Sequence, residues 1–420
     1  MHAKQIFILT FISLAALSCA RISVDTVPQE EPIGFSWYTP RPTTTKADTE
    51  LFVDGHDLSE GTSMGVFGYF HPLYEDGGGT TQHGSWEDGV NVNRPNLFYN
   101  EQVTVGTPDY TYDHSRYWPG NVNDRISFIA YYPYSDNVSR TGEDTGTDTE
   151  CSVEPFLDSD GSNNGLVGFK YTVPEDVSEH VDFMVSDLCM DQSKALWKES
   201  NGTQGLTGPE NGKVKFYFHH ALSQVRIESV TTSTVNNDNL TVDVRSIRFN
   251  GVAVRARCIP VPAAAHAEND TDTGHKHVNL TWSQHSCYRT SSDVEEASIV
   301  TDRTGDDPED VLLMIPQSFP ADGDAEIEVT FDITRWKDKN NKVYLADGTT
   351  PDPAYYEYRY ADNVLSAPLH SDDLDEWLPG KIYTYRISLT LHAIRVQAVS
   401  VTDWETGIED VFPHPITDEP

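Results

Sequence analysis

Short bursts of apolar alternation, separated by long loops carrying Gly, Asp, Asn and Pro, most narrow the folds open to this chain. A period of two places every second side chain on one face of an extended strand, which is the pattern of a half-buried β-strand. Residues 64–70, 125–132 and 181–185 have this character, and 214–218, 223–227, 242–249, 311–315 and 327–333 repeat it. It is clearest near the end. There Tyr383, Tyr385, Ile387, Leu389 and Leu391 alternate with Thr384, Arg386, Ser388 and Thr390, and Ile394, Val396 and Ala398 follow. Extended helical periodicity is not evident, although 177–180 and 192–199 have room for a turn or two. The expected fold is all-β, built as β-sandwiches in which each strand buries one face and wets the other.

At 420 residues the chain is long for a single core, and roughly 150 residues per domain suggests two or three. The apolar-poor stretch 199–212 reads as a boundary. We therefore expect a signal segment over 1–19, a leader over 20–46, one β-sandwich over 47–212 and a second over 213–420. Inside the Pro- and Thr-rich leader, Ile33, Phe35 and Trp37 alternate with Gly34 and Ser36, so a short strand is expected there.

The first residues carry Lys4 and then an apolar run over 6–17 ending in Leu17, Ser18, Cys19 and Ala20. That run is shorter than the roughly 20 residues a membrane span needs, and it reads as a secretory signal. Cys19 after a small residue resembles a lipobox, which would make Cys19 the lipidated first residue of the exported protein. Ordinary signal-peptidase cleavage after Ala20 is the alternative.

Export would place Cys151, Cys189, Cys258 and Cys287 in an oxidising compartment, where an even count permits two disulfides. Four cysteines allow three pairings. Pairing within each half is the simplest, and buried thiols are the alternative. No two are close enough for a C-x-x-C metal or redox motif. The formal charge of −37 argues against nucleic acid and against a basic membrane-binding patch. It suits solubility and mutual repulsion at a cell surface.

Motifs for chemistry are sparse, and the chain is expected to be no enzyme and to need no cofactor. Gly61-Thr62-Ser63-Met64-Gly65 fits G-x-S-x-G, but a nucleophile elbow requires a strand before the serine and a helix after it. Polar residues precede this one and strand-formers follow, so a turn into a strand is the better reading. The Asp- and Asn-rich loop 158–164 has oxygen ligands at alternate positions without an EF-hand's terminal Glu or flanking helices. His266, His275 and His277 with nearby acids could chelate a metal but read better as exposed loop residues, and His219 and His220 read as structural ones; no metal site is expected. Trp37, Trp86, Trp118 and Trp282 could offer stacking faces to a sugar, which keeps a surface glycan-binding lipoprotein as the rival reading, although such residues usually fill the core.

Several segments in order resemble the fimbrillin family of Bacteroides-type pili, in its Mfa-like branch. They are the lipobox leader, Lys46-Ala47, residues 61–69, Tyr117-Trp118-Pro119, 126–134, 181–185, 218–223, 313–317 and 377–383. The resemblance implies two tandem transthyretin-like, Greek-key β-sandwiches and a type V pilus subunit or adhesin exported to the outer membrane as a lipoprotein. It implies proteolytic processing, for which Lys46-Ala47 is the accessible bond here, since Pro42 follows Arg41. Loss of the leader strand Ile33, Phe35 and Trp37 would open a groove for a strand of the next subunit, by β-strand addition. The strand of Tyr383, Tyr385, Ile387, Leu389 and Leu391 is the candidate donor; completing its own sandwich is its other role. Expected partners are other fimbrial subunits, identical or paralogous, a lipid anchor before processing, and a host or bacterial surface ligand.

Overall fold

A computed structural model describes residues 32–38, 61–72, 74–75, 81–82, 86, 94–106, 110–121, 124–138, 153–157, 165–174, 179–193, 213–231, 239–263, 275–283, 299–302, 311–371, 374–389, 394–404 and 409–413. In chain order the strands of the first half are β1 (Gly34–Tyr38), β2 (Ser63–His71), β3 (Tyr74–Glu75), β4 (Thr81–Gln82), β5 (Phe98–Thr104), β6 (Arg125–Tyr132), β7 (Val153–Leu157), β8 (Val167–Thr172), β9 (Met184–Ser186) and β10 (Leu188–Gln192). Then follow β11 (Lys213–His220), β12 (Ser223–Thr231), β13 (Leu240–Asn250), β14 (Arg255–Pro262), β15 (His275–Lys276), β16 (Val278–Ser283), β17 (Ile299–Asp302), β18 (Val311–Met314), β19 (Gln317–Ser318) and β20 (Glu326–Trp336). The last are β21 (Tyr356–Pro368), β22 (Glu376–Trp377), β23 (Lys381–Leu389), β24 (Ile394–Asp403) and β25 (Glu409–Pro413). The protein is all-β, with no α-helix among the described residues. Of the two stretches with room for a helical turn, residues 177–178 and 194–199 lie outside them.

Four sheets make the body. The first is ordered β1-β11-β9-β6-β10-β15, with β2 joining β6 to β5; the second is β16-β14-β8-β7. The other two are β18-β12-β23-β24-β25 and β17-β13-β20-β21. The expected cut at 212/213 falls between β10 and β11 in the chain. Yet β11 and β15 complete the first sheet, and in the second β14 pairs with β8 and carries β16 on its other edge. Sheet membership therefore crosses that point. Composition marks where a linker runs, whereas strand pairing is settled by which edges remain open.

One large core takes residues from all four sheets, among them Tyr131, Phe169, Phe249, Phe331 and Tyr385. A second lies on the opposite face of the first sheet and gathers Ile33, Phe35, Phe98, Phe128 and Phe216. This arrangement departs from one wet face per strand. In β2, Met64 and Val66 enter the second core while Phe67 and Tyr69 enter the first, and β6 divides Phe128 and Ala130 from Ile129 and Tyr131 in the same way. Strands buried on both faces read as near-continuous apolar runs, which is why 64–70 and 126–132 have so few polar residues.

The same double burial accounts for G-x-S-x-G. Gly61 turns with φ of 92°, Ser63 begins β2, and its hydroxyl meets that of Thr104 at 2.9 Å while accepting from Gln102 Nε2 at 3.1 Å. A strand follows Ser63 instead of the helix an elbow needs. Gly65 lies under the ring of Tyr131, into which an added Cβ would intrude. That ring cannot easily yield, because Tyr131 Oη donates to Asn100 Oδ1 at 2.7 Å and accepts from Ser135 N at 3.1 Å. Gly65→Ala is expected to cost about 1–3 kcal/mol through overpacking, read as a lowered urea midpoint. An unchanged midpoint would mean that the ring moves freely.

Candidate functional site: the leader strand and its groove

The strand expected as a leader, β1, is not a hairpin partner of its sequence neighbours. β1 runs parallel to β11, in register from Gly34 opposite Lys213 to Tyr38 opposite Tyr217. Parallel pairs need long connections, and here almost the whole first half of the chain intervenes. Beyond this ladder, Pro32 bridges Tyr117, Ile33 N donates to Arg116 O at 2.8 Å, and Tyr112 Oη donates to Ile33 O at 2.8 Å. Burial pushes the Tyr112 hydroxyl above its ordinary pKa, keeping it a neutral donor.

Alternation sends Ile33 and Phe35 inward, each 1% exposed. The Phe35 ring stands 5.4 Å from that of Phe98, 5.7 Å from Tyr112, 5.8 Å from Phe128 and 5.6 Å from Phe216, stacking on the last and meeting Phe98 and Phe128 edge-on. Such offset and edge-to-face contacts add to area burial. Arg116 closes the rim, with its guanidinium over Phe98 and its Nε donating to Leu97 O. The slot thus has walls from β5, β6 and β11 and one occupant, β1. What the arrangement can do is hold an extended segment by a main-chain ladder and an aromatic pocket.

Other residues singled out in the sequence fall variously. Trp37 pairs through its backbone with Phe216, and its side chain lies outside the described residues, as do Cys19, Lys46 and Ala47. Tyr383, Tyr385 and Ile387 are buried, and β23 lies between β12 and β24. Tyr385 Oη accepts from Trp377 Nε1 at 2.9 Å, and Tyr383 Oη accepts from Leu378 N at 2.7 Å; burial pushes the Tyr383 hydroxyl up to about 12. Leu389 ends β23, and Leu391 is outside the described residues.

The loop 158–164, His266, Cys151 and Cys287 are also outside them. Cys189 donates its thiol to Lys215 O at 3.3 Å, and Cys258 is a buried free thiol whose pKa burial raises, so the pairing of Cys258 with Cys287 is not formed. Trp86 and Trp118 are buried, and Trp282 donates Nε1 to Ala221 O, so these three serve packing. His277 is not an isolated loop residue: it meets His219 on the carboxylate of Asp187. Burial alone would raise the Asp187 carboxyl, but the two imidazoles outweigh it and hold it well below the usual carboxylate range. Sequence reasoning missed Phe98, Tyr112 and Phe216 as the groove's walls. Their only signal was an aromatic in each of three separated segments.

A family model described as fimbrillin-like matches residues 79–404. Among solved structures, the chain is similar to a fimbrial protein from Bacteroides vulgatus at 17% identity, covering 81% of this chain and 92% of that one with a TM-score of 0.45. It is also similar to a protein from Bacteroides uniformis assigned provisionally to cell adhesion, at 14% identity, covering 83% and 93% of the two chains with a TM-score of 0.40. No curated protein matches. With more than half of its length matched, the chain belongs to the fimbrillin-like family.

Proposed function

We propose that the chain is a subunit of a surface filament, in which β1 is a removable plug and the slot beneath it is the acceptor for a strand of a neighbouring subunit. The observation that carries this is Phe35: it fills an aromatic pocket built by other segments, through a strand whose only ladder partner among the described residues is β11. Removing an edge strand leaves an apolar slot beside unpaired backbone groups, which associates with another strand by default.

In this reading Cys19 is lipidated after export to the outer membrane, cleavage at Lys46-Ala47 frees the plug, and the two sandwiches meet near residue 212 with strands shared across that point. The donor comes from the C-terminal sheet. Releasing β23 would empty the places of Tyr383, Tyr385 and Ile387 in the core, whereas β25 is an edge strand that pairs, among the described residues, with β24 alone. In this reading β25, which lies beyond the expected donor strand of Tyr383 to Leu391, is the strand donated. Partners are further fimbrial subunits, and a subunit that keeps its leader would act as an anchor.

The test is size-exclusion chromatography of the folded chain before and after cleavage following Lys46 and removal of the leader. The expected result is a monomer that becomes a concentration-dependent series of oligomers. A cleaved, leader-free chain that stays folded and monomeric at every concentration would rule the reading out.

A further inference from the structure

Three segments distant in sequence bring a carboxylate and two imidazoles to one point. Asp187 lies between β9 and β10, His219 stands near the end of β11, and His277 sits between β15 and β16. Asp187 Oδ1 is 2.9 Å from His219 Nε2, 3.1 Å from His277 Nδ1 and 3.2 Å from the backbone N of Val278. The two rings are perpendicular with centroids 4.7 Å apart, and the three donor atoms all lie within 4.8 Å of one another.

The geometry points to a binding site for a borderline divalent transition-metal ion, of which zinc is the best fit, held by Asp187, His219 and His277. Two imidazole nitrogens and one carboxylate oxygen suit zinc better than calcium or magnesium, which seek more oxygens. With metal–ligand bonds of about 2.0–2.1 Å, neighbouring ligand atoms of a tetrahedral site stand roughly 3.3 Å apart. The two carboxylate–imidazole separations are already within a few tenths of an ångström of that, and the histidine pair has only to close. His277, with 54% of its side chain exposed, has room to make that turn, while Asp187 and His219 are held within the fold. On binding, each imidazole carries its proton on the nitrogen that does not face the ion. The exposed side beyond His277 leaves the fourth position to water or to a donor atom from outside the chain.

The site has a structural consequence. Asp187 N also donates to Tyr217 O at 2.8 Å, and Tyr217 is the residue of β11 opposite Tyr38, the last of the leader strand. An ion here would pin β11, the strand that holds the leader, to β10 and β16. The site assignment does not depend on the filament reading, and its failure would leave that reading standing.

The experiment is a titration of the full chain, stripped of metal by a chelator, with zinc chloride against a chromophoric zinc indicator at neutral pH. Thermal melting with and without zinc runs beside it. The chain has 15 histidines, so single substitutions carry the assignment. The expected result is one tight equivalent that raises the Tm, with its affinity lowered by about tenfold or more in His277→Ala and in His219→Ala. His277→Ala should fold normally because that side chain is exposed, and far-ultraviolet circular dichroism checks it. Failure to take up zinc, or an equivalent whose affinity is the same in His277→Ala, would overturn the assignment.

Discussion

Replacing Phe35 with alanine is expected to lower the stability of the full chain by about 3–5 kcal/mol, the range for truncating a buried phenylalanine. The large value is expected because the site cannot collapse. The surrounding rings of Phe98, Phe128 and Phe216 come from three strands tied into the first sheet, and all are fully buried. Phe35→Leu keeps most of the volume and should cost much less. Urea unfolding followed by circular dichroism reads both. A loss below about 1 kcal/mol for the alanine variant would mean that the pocket closes over the gap, and the leader would then be packing rather than a plug. After cleavage at Lys46-Ala47 the variant should also release β1 faster, since β1 is held on one side by β11 and on the other by a few contacts at Ile33.

Asp332→Ala is expected to be as damaging, at about 3–5 kcal/mol, because it strips a buried anion from two cations. Asp332 is 1% exposed in the middle of β20. Its Oδ2 accepts from Arg245 Nε at 2.9 Å and Nη2 at 2.6 Å, and from Arg359; its Oδ1 accepts from Asp362 N at 2.9 Å. The last bond stands where the β20–β21 register shifts and Asp362 adopts a φ of 54°, so the carboxylate also fixes the bulge.

Burial alone would raise the Asp332 carboxyl, but the Asp362 amide and the two guanidiniums outweigh it and hold it below its ordinary value of 3.8. A depressed carboxyl contributes stability that is complete above the ordinary value and is lost as pH falls through the folded one. The urea midpoints of the wild type and Asp332→Ala should therefore differ most near neutrality and converge below about pH 4. A gap that stays constant into acid would place the effect in packing alone.

The strands were legible in the sequence wherever one face is buried, because alternation at Tyr383, Tyr385 and Ile387 reports directly on a period of two. The strand β1 was legible for the same reason: Ile33 and Phe35 alternate with small residues and both point into the core. Pairing was not legible. Nothing in residues 213–218 announces that this segment lies beside residues 34–38, since a parallel ladder across so long a connection leaves no local mark. Double-sided burial was equally hidden, because Met64, Val66, Phe67 and Tyr69 form one apolar run whichever core each joins. The cluster at Asp187 escaped for a third reason. His219 and His277 read separately as a structural and an exposed histidine, and only folding sets them on one carboxylate.

The most direct test of the plug is to put it back. A synthetic peptide of residues 30–40 is added to the folded chain from which the leader has been cleaved and removed, with binding followed by calorimetry and association by chromatography. The peptide is expected to bind and to block self-association, and the same peptide carrying Phe35→Ala is expected to do neither. A peptide that fails to bind a folded, leader-free chain, or binds equally well without Phe35, would contradict the role of β1 as a plug.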